Sequence, residues 1–378
     1  MSRARPKLRI GLIGCGKVAA NRHFPALAAI EQAELVAVAD TDDNALQRAA
    51  DSHRVARRFR DYRELLEQVD IEAVGVLVDL AHHHEVASAV LESGRHLLLE
   101  KPLAMSIDEA DRLVELARGS GRVALMAFNS RWHPLVRRAR EQIRSGRLGP
   151  VALIGTALCT GHHQRYIPAW RRVRARGGGS LIENGSHSYD LWRFLTGAEI
   201  EEVSAVSCST ERSDDEPAVV TARAASGELF NGLFSDFLPD RNQIDIYAQE
   251  RLVRVSLYRF DGYEEQPIRS CDGQMRNRVG RAARFALELP RGLLRLGRGG
   301  GFVGTFQAEW RHFIDCVQRG ATPECTLEDG REALRVALAA VESADTGRAV
   351  PLSGDRPAGP AAAPARGSAP RRAPAPPA

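Results

Sequence analysis

Three side chains in this 378-residue chain have the type and the setting to move a proton at a carbon–oxygen group. Lys101 stands between Glu100 and Pro102, directly after the apolar run His96–Leu99. If that run is a strand of a parallel sheet, its C-terminal end opens on the ligand crevice, where an ammonium group would meet a polarised oxygen. The Lys101–Pro102 bond could adopt the cis form and so fix the direction of the lysine. Position alone equally fits a surface lysine in a turn. His187 lies four residues after Glu183 in the run GGGSLIENGSHSYD, 177–190. On a helix the two share one face, with Asp190 close to it. Imidazole titrates near neutrality and suits abstraction of an alcohol proton; the plainer alternative is a satisfied histidine in a half-buried helix. Ser180-x-x-Glu183 also reads as a capping box, in which the glutamate would only close the helix start.

A redox partner for such a site is suggested upstream. Residues 8–13 form a short apolar run that ends in G-x-G-x-x-A, with Gly14, Gly16 and Ala19 as its small residues. Gly14 allows a tight turn, Gly16 lets the backbone approach a pyrophosphate, and Ala19 lets a new helix pack on the strand. The helix N-terminus then offers free N–H groups to the phosphates, so Cys15, Lys17 and Val18 belong to the same candidate loop. Glycine loops also occur as plain turns, and the context decides. Residues 34–39 read as a buried strand closed by Asp40, 21 residues after Ala19. An acid there would accept both hydroxyls of an adenosine ribose. Thr41, Asp42 and Asp43 follow, with no arginine for a 2′-phosphate, so the reading is NAD rather than NADP. The alternative is that Asp40 merely caps the next helix.

The elements needed to position these groups follow from periodicity. Residue 17–30, 44–51, 61–69, 82–93 and 106–118 read as helices, alternating with strands at 55–59, 73–78, 96–99 and 123–128. That alternation predicts a doubly wound parallel sheet, an N-terminal Rossmann domain over 1–128. The pattern then changes. A helix at 134–145 and a strand at 151–159 precede a loop rich in His, Arg and Gly, then a helix at 181–195. Strands at 201–209, 218–225, 228–236, 243–248 and 251–257 follow one another, which predicts a large, open, mainly antiparallel sheet. Helices at 303–318 and 328–345 complete a C-terminal α/β domain, 129–353. The Pro/Ala/Arg-rich tail 354–378 has no apolar pattern and is expected to be disordered.

Composition narrows the function classes. The net charge of +4 sits in the N-terminal residues and the tail, leaving a body close to neutral and no case for nucleic acid. The six cysteines form no C-x-x-C and read as reduced thiols of a cytoplasmic protein. No run approaches the ~18 apolar residues of a membrane span, and the N-terminal apolar run is too short for a signal peptide. His82–His84 and His162–His163 lack the spacing of metal ligands, so no metal is expected. Residues 276–300 carry seven arginines against Glu288. They would form a basic flap, an interfacial segment or an ordinary solvated insertion, with Pro290 and Gly292 interrupting any long helix.

Taken together, G-x-G-x-x-A at 14–19, Asp40, E-K-P at 100–102 and G-x-H-x-x-D at 185–190 resemble the glucose-fructose oxidoreductase/inositol dehydrogenase/rhizopine catabolism (Gfo/Idh/MocA) family over about residues 8–352. The resemblance implies NAD at Gly14–Ala19, Asp40, Glu100 and Lys101, and a catalytic set of Lys101, Glu183 and His187. The family usually has Asp where this chain has Glu183, and Thr/Ser-Pro where it has Val78-Asp79. The implied reaction is hydride transfer between a secondary alcohol of a sugar, cyclitol or sugar derivative and nicotinamide. Asn129, Arg131, Arg165, Trp170 and Arg171 are candidate substrate contacts. The family also implies a homodimer or homotetramer paired through the open sheet. Two alternatives stand beside the dehydrogenase: an enzyme that keeps NAD bound and cleaves or rearranges a glycoside by transient oxidation, and a non-catalytic sensor of NAD or sugar, against which the intact Lys101 and His187 weigh.

Overall fold

A computed structural model describes residues 6–161, 167–259, 261–268, 274–296 and 300–352. Arg165, His162, His163 and the 354–378 tail lie outside the described residues.

The first sheet is built from β1 (Leu8–Ile13), β2 (Ala33–Ala39), β3 (Arg57–Phe59), β4 (Ala73–Val76), β5 (His96–Glu100) and β6 (Ala124–Ala127). They lie in the order β3-β2-β1-β4-β5-β6, and every pair is parallel. All four residues of β4 are buried, because both faces of the sheet are covered. The covering helices on this half are α1 (Phe24–Ala28), α2 (Asp43–His53), α3 (Tyr62–Gln68), α4 (His83–Glu92) and α5 (Ile107–Ser120). Strand order reverses at β1 and β4, which opens the crevice above their C-terminal ends.

The helix expected over 17–30 takes a different form. A π-helical turn, Ala19–His23, runs directly into the short α1. Pro25 lies in the first turn of α1 and has no N–H to donate, and the π-helical turn just before it carries the helix past the missing bond. The capping box at Ser106 also forms only in part: Ser106 Oγ accepts the Glu109 N–H at 3.3 Å, but Glu109 Oε2 accepts from Met105 N, one residue early.

After α6 (Pro134–Arg144), the second sheet holds β7 (Val151–Cys159), β8 (Ile200–Ser207), β9 (Ala218–Ala224), β10 (Leu229–Ser235), β11 (Arg241–Ala248), β12 (Arg251–Ser256), β13 (Tyr263–Pro267) and β14 (Val350–Pro351). Their order is β13-β12-β11-β7-β10-β9-β8-β14. β7 and β10 are parallel; the other neighbours are antiparallel. β13 is polar and β14 is two residues long, so neither carries an apolar signal in the sequence. The expected helix 181–195 is two helices, α7 (Ser180–Glu183) and α8 (Gly185–Thr196), joined at Asn184. α9 (Met275–Leu296) runs through Pro290 without the expected interruption.

α10 (Gly300–Arg319) and α11 (Leu327–Thr346) return to the first sheet. A Cβ on Gly75 of β4 would lie 3.0 Å from the Trp310 ring, so the missing side chain lets α10 pack directly on the strand. Met126 N of β6 donates to Cys325 O at 3.0 Å. The two sheets are thereby held against one cavity.

Candidate active site

Each reacting side chain is placed by its local backbone. β5 carries Lys101 to the crevice, and the Lys101–Pro102 peptide is cis. Across the cleft, the triple glycine turns back on the chain before it. A Cβ on Gly178 would sit 2.2 Å from Arg171 O, and Gly179 N donates to that carbonyl at 2.9 Å. Only glycine permits this approach. The turn delivers α7 with Glu183 facing Lys101 and leaves Arg171 alongside.

Lys101 Nζ lies 2.7 Å from Glu183 Oε1 and 3.2 Å from Glu183 O. Arg171 Nη1 approaches the same Oε1 at 3.5 Å, and its Nη2 donates to Asn184 Oδ1 at 2.8 Å and Asp236 Oδ1 at 3.2 Å. Thr160 and the Asn184 amide also donate to Asp236 Oδ1. Burial disfavours the Glu183 anion, but the charges of Lys101 and then Arg171 outweigh it and hold the carboxyl below its ordinary range. The Glu183 carboxylate therefore belongs to an ion network and not to a helix cap. Gly179 is the N-cap of α7, and the Ser180 hydroxyl instead donates to Glu216 Oε2 at 2.6 Å.

His187, on the first turn of α8, faces Phe128 edge-on at 6.3 Å. Its Nδ1 is buried with no hydrogen-bond partner among the described residues. Burial, then the charge of Lys101, pushes its pKa down to about 3, so the ring is neutral at physiological pH and able to accept a proton.

Lys101, Glu183 and His187 line one cavity of about 910 Å³ together with Gly16, Lys17, Val18, Glu100, Asn129, Trp170 and Arg171. The cavity thus reaches from the glycine loop to the second sheet, where Thr156 and Asn242 form its far wall. The loop has the shape a pyrophosphate needs. Gly14 has φ +98°, and a Cβ there would meet Leu77 O at 2.5 Å; a Cβ on Gly16 would meet nothing within 4 Å, so space remains beside the backbone. Ala19 is fully buried beneath the loop. Cys15 is buried, and burial pushes its thiol up to about 12. Asp40 accepts from Cys15 N at 2.6 Å through Oδ2 and from Asp42 N at 2.8 Å through Oδ1. It braces the glycine loop, whereas Asp42 caps α2.

Arg131 does not reach the cavity. It is 4% exposed, and its Nε lies 2.8 Å from Asp190 Oδ2 while Nη1 reaches Asp329 Oδ2 at 3.1 Å. The expected substrate contact is a buried structural ion pair, and it takes Asp190 away from Glu183 and His187 as well. Asn129 does line the cavity, with its amide donating to Thr305 Oγ1 at 3.0 Å. His83 uses both ring nitrogens against backbone, Nδ1 to Pro102 O at 2.7 Å and Nε2 to Val78 O at 3.1 Å. Sequence reasoning missed Asp236 and Asn184. Asp236 follows the apolar strand β10 and so stood where a site residue could, but no spacing links it to Arg171.

Comparison with known proteins reads the same residues. Residues 8–128 match the family profile described as oxidoreductase family, NAD-binding Rossmann fold. Residues 136–253 match the GFO/IDH/MocA C-terminal domain, and 297–352 match the oxidoreductase family C-terminal alpha/beta domain. The chain belongs to the Gfo/Idh/MocA oxidoreductase family. Residues 8–128, its N-terminal third, are an NAD-binding Rossmann domain. Within the family, the chain is 28% identical over 356 residues to myo-inositol 2-dehydrogenase of Thermotoga maritima, covering 91% of this chain and 98% of the relative. It is 24% identical to scyllo-inositol 2-dehydrogenase (NAD(+)) of Bacillus subtilis, covering 92% and 96%. The fold is shared with the WlbA dehydrogenase of Bordetella pertussis, solved with NADH and UDP-GlcNAcA, at a TM-score of 0.77, 24% identity and coverage of 93% and 99%. No helix among the described residues is long and apolar enough to cross a membrane.

Proposed function

We propose that this oxidoreductase is an NAD-dependent dehydrogenase of a secondary alcohol on a sugar, cyclitol or sugar derivative, with residues 1–128 seating the cofactor and 129–353 the substrate. The observation that carries the reading is the convergence of Lys101, Glu183 and His187 on a cavity that begins at Gly16. Bound NAD supplies the hydride acceptor. Neutral His187 takes the hydroxyl proton. The Lys101 ammonium donates to the same oxygen and stabilises the charge that develops there. Glu183 holds the lysine, and Arg171, clamped by Asp236 and Asn184, holds the glutamate. Asn129 and Trp170 line the same cavity and are the proposed contacts for a ring substrate; Arg165 remains a candidate from its sequence position.

NAD is favoured over NADP because the Asp40 carboxylate at the end of β2 would repel a 2′-phosphate, and Asp79 adds another carboxylate to the cavity wall. Self-association through the second sheet is supported by its uncovered apolar side chains, among them Val206 at 73%, Val219 at 49% and Leu229 at 46% exposed.

A panel of polyols, aldoses, uronates and nucleotide sugars with NAD or NADP, followed by absorbance of the reduced cofactor, tests the reading. His187→Ala is expected to lose ~10²–10⁴-fold in turnover while still binding NADH. Near-normal turnover in that variant removes His187 from the mechanism. Product without net NADH identifies the transient-oxidation chemistry instead.

A further inference from the structure

His23 ends the π-helical turn behind the glycine loop and has no exposed surface. Its Nε2 lies 2.8 Å from Glu100 Oε1, and on the other side the Trp310 indole donates to Nδ1 at 3.1 Å. An indole N–H can only donate. Nδ1 is therefore an acceptor, the ring is the neutral Nε2–H tautomer, and Nε2 donates to Glu100. Phe306 and Trp310 pack edge-on against the imidazole, with centroids at 5.1 and 6.1 Å. The second oxygen of Glu100 accepts the backbone N–H of Lys101 at 3.1 Å. One carboxylate is thus gripped from the cofactor loop on one oxygen and from the lysine on the other.

We propose that His23 is a positioning residue: its bond to Glu100, with the tautomer set by Trp310, fixes the carboxylate that seats Lys101 and couples the dinucleotide loop to the reacting end of the site. The role of Lys101 in this coupling rests on the dehydrogenase reading.

The groups facing Glu100 are His23 from the helical turn, Lys101 from its own strand end, His187 from α8 and Glu309 from α10. Burial opposes ionisation of Glu100, and the hydrogen bond from His23 is the largest influence working against burial; the carboxyl stays below the ordinary range. Glu309 is the contrast. It is wholly buried, neither oxygen has a partner among the described residues, and burial followed by the charge of Glu100 pushes its pKa far up. Two carboxyls lie within electrostatic reach in one apolar region, and the one that carries the charge is the one with the histidine donor.

His23→Phe keeps the aromatic packing and removes both ring nitrogens. His23→Gln keeps an N–H for Glu100 and an acceptor for Trp310. In His23→Phe, kcat is expected to fall about 10- to 100-fold, the scale of misplacing a reacting group, with the KM for the alcohol little changed. The acid midpoint of kcat, and that of NADH affinity read by fluorescence, should both rise by about one pH unit as Glu100 loses its donor. His23→Gln should restore most of both. A folded His23→Phe with the native midpoints, or a His23→Gln no better than His23→Phe, overturns the proposal. If His23→Phe does not fold, Trp310→Phe releases the tautomer and should raise the same midpoints by less; unchanged midpoints there overturn it equally. Absence of turnover in every protein, including the native one, removes the dehydrogenase reading, while the NADH-binding midpoints still decide the role of His23.

Discussion

Lys101 and Glu183 are 82 residues apart in the chain and meet with Nζ 2.7 Å from Oε1, at side-chain exposures of 11% and 8%. The pair ties a strand end of the first sheet to a helix on the second. It also puts the two charges where neither is well solvated alone.

Glu183→Gln leaves Lys101 and Arg171 without their shared carboxylate. Loss of one partner of a buried pair is expected to cost about 3–5 kcal/mol, seen as a lower unfolding midpoint in calorimetry. The folded pKa of Glu183 is depressed, so its contribution is complete above the unfolded carboxyl pKa and fades as pH falls through the folded one. The gap between native and variant should therefore narrow below about pH 4. A gap independent of pH contradicts the ionised state assigned to Glu183.

The depressed pKa of His187, about 3, makes a second prediction. An ordinary histidine base would lose activity on acidification through about pH 6.5. Here the free enzyme keeps His187 neutral well below that, so kcat/KM should show no histidine limb between about pH 5 and 7. A limb near the ordinary value that disappears in His187→Ala would show the ring to be solvated in solution.

Asp40→Ser should raise the kcat/KM ratio for NADP over NAD, because a neutral, shorter side chain no longer repels a 2′-phosphate. It should also weaken NAD itself, since the acceptor for Cys15 N and Asp42 N is lost. Initial rates with both cofactors measure the two effects. An unchanged ratio would limit Asp40 to bracing the loop.

Arg131→Met leaves Asp190 buried and unpaired, with no exposed surface. Stability should fall by about 3–5 kcal/mol, while the KM of the folded fraction stays near native. Denaturant melts and initial rates separate the two. A large rise in KM with native stability would return Arg131 to the substrate site.

The parts of the site governed by local backbone rules were legible in the chain. Gly14, Gly16 and Ala19 constrain a turn within six residues, and β4 is apolar throughout because it is covered on both faces. Lys101 and His187 were legible because each sits at the edge of such an element. The helix over 17–30 is present over 17–28 but takes a π-helical turn ahead of Pro25, which the apolar pattern does not show. The capping role of Glu183 failed because a cation from the opposite sheet outcompetes the helix N-terminus for its carboxylate.

By itself, the sequence determined the order of strands and helices, the glycine loop and the candidate reacting residues. These depend on steric and hydrogen-bonding rules acting over a few positions. Tertiary packing alone decided the partners. Arg131 went to Asp190, 59 residues away, and Trp310 to His23, 287 residues away. A buried charge or ring nitrogen takes whichever complementary group the fold brings within hydrogen-bonding distance, and that distance does not exist until the two sheets and α10 close on one another.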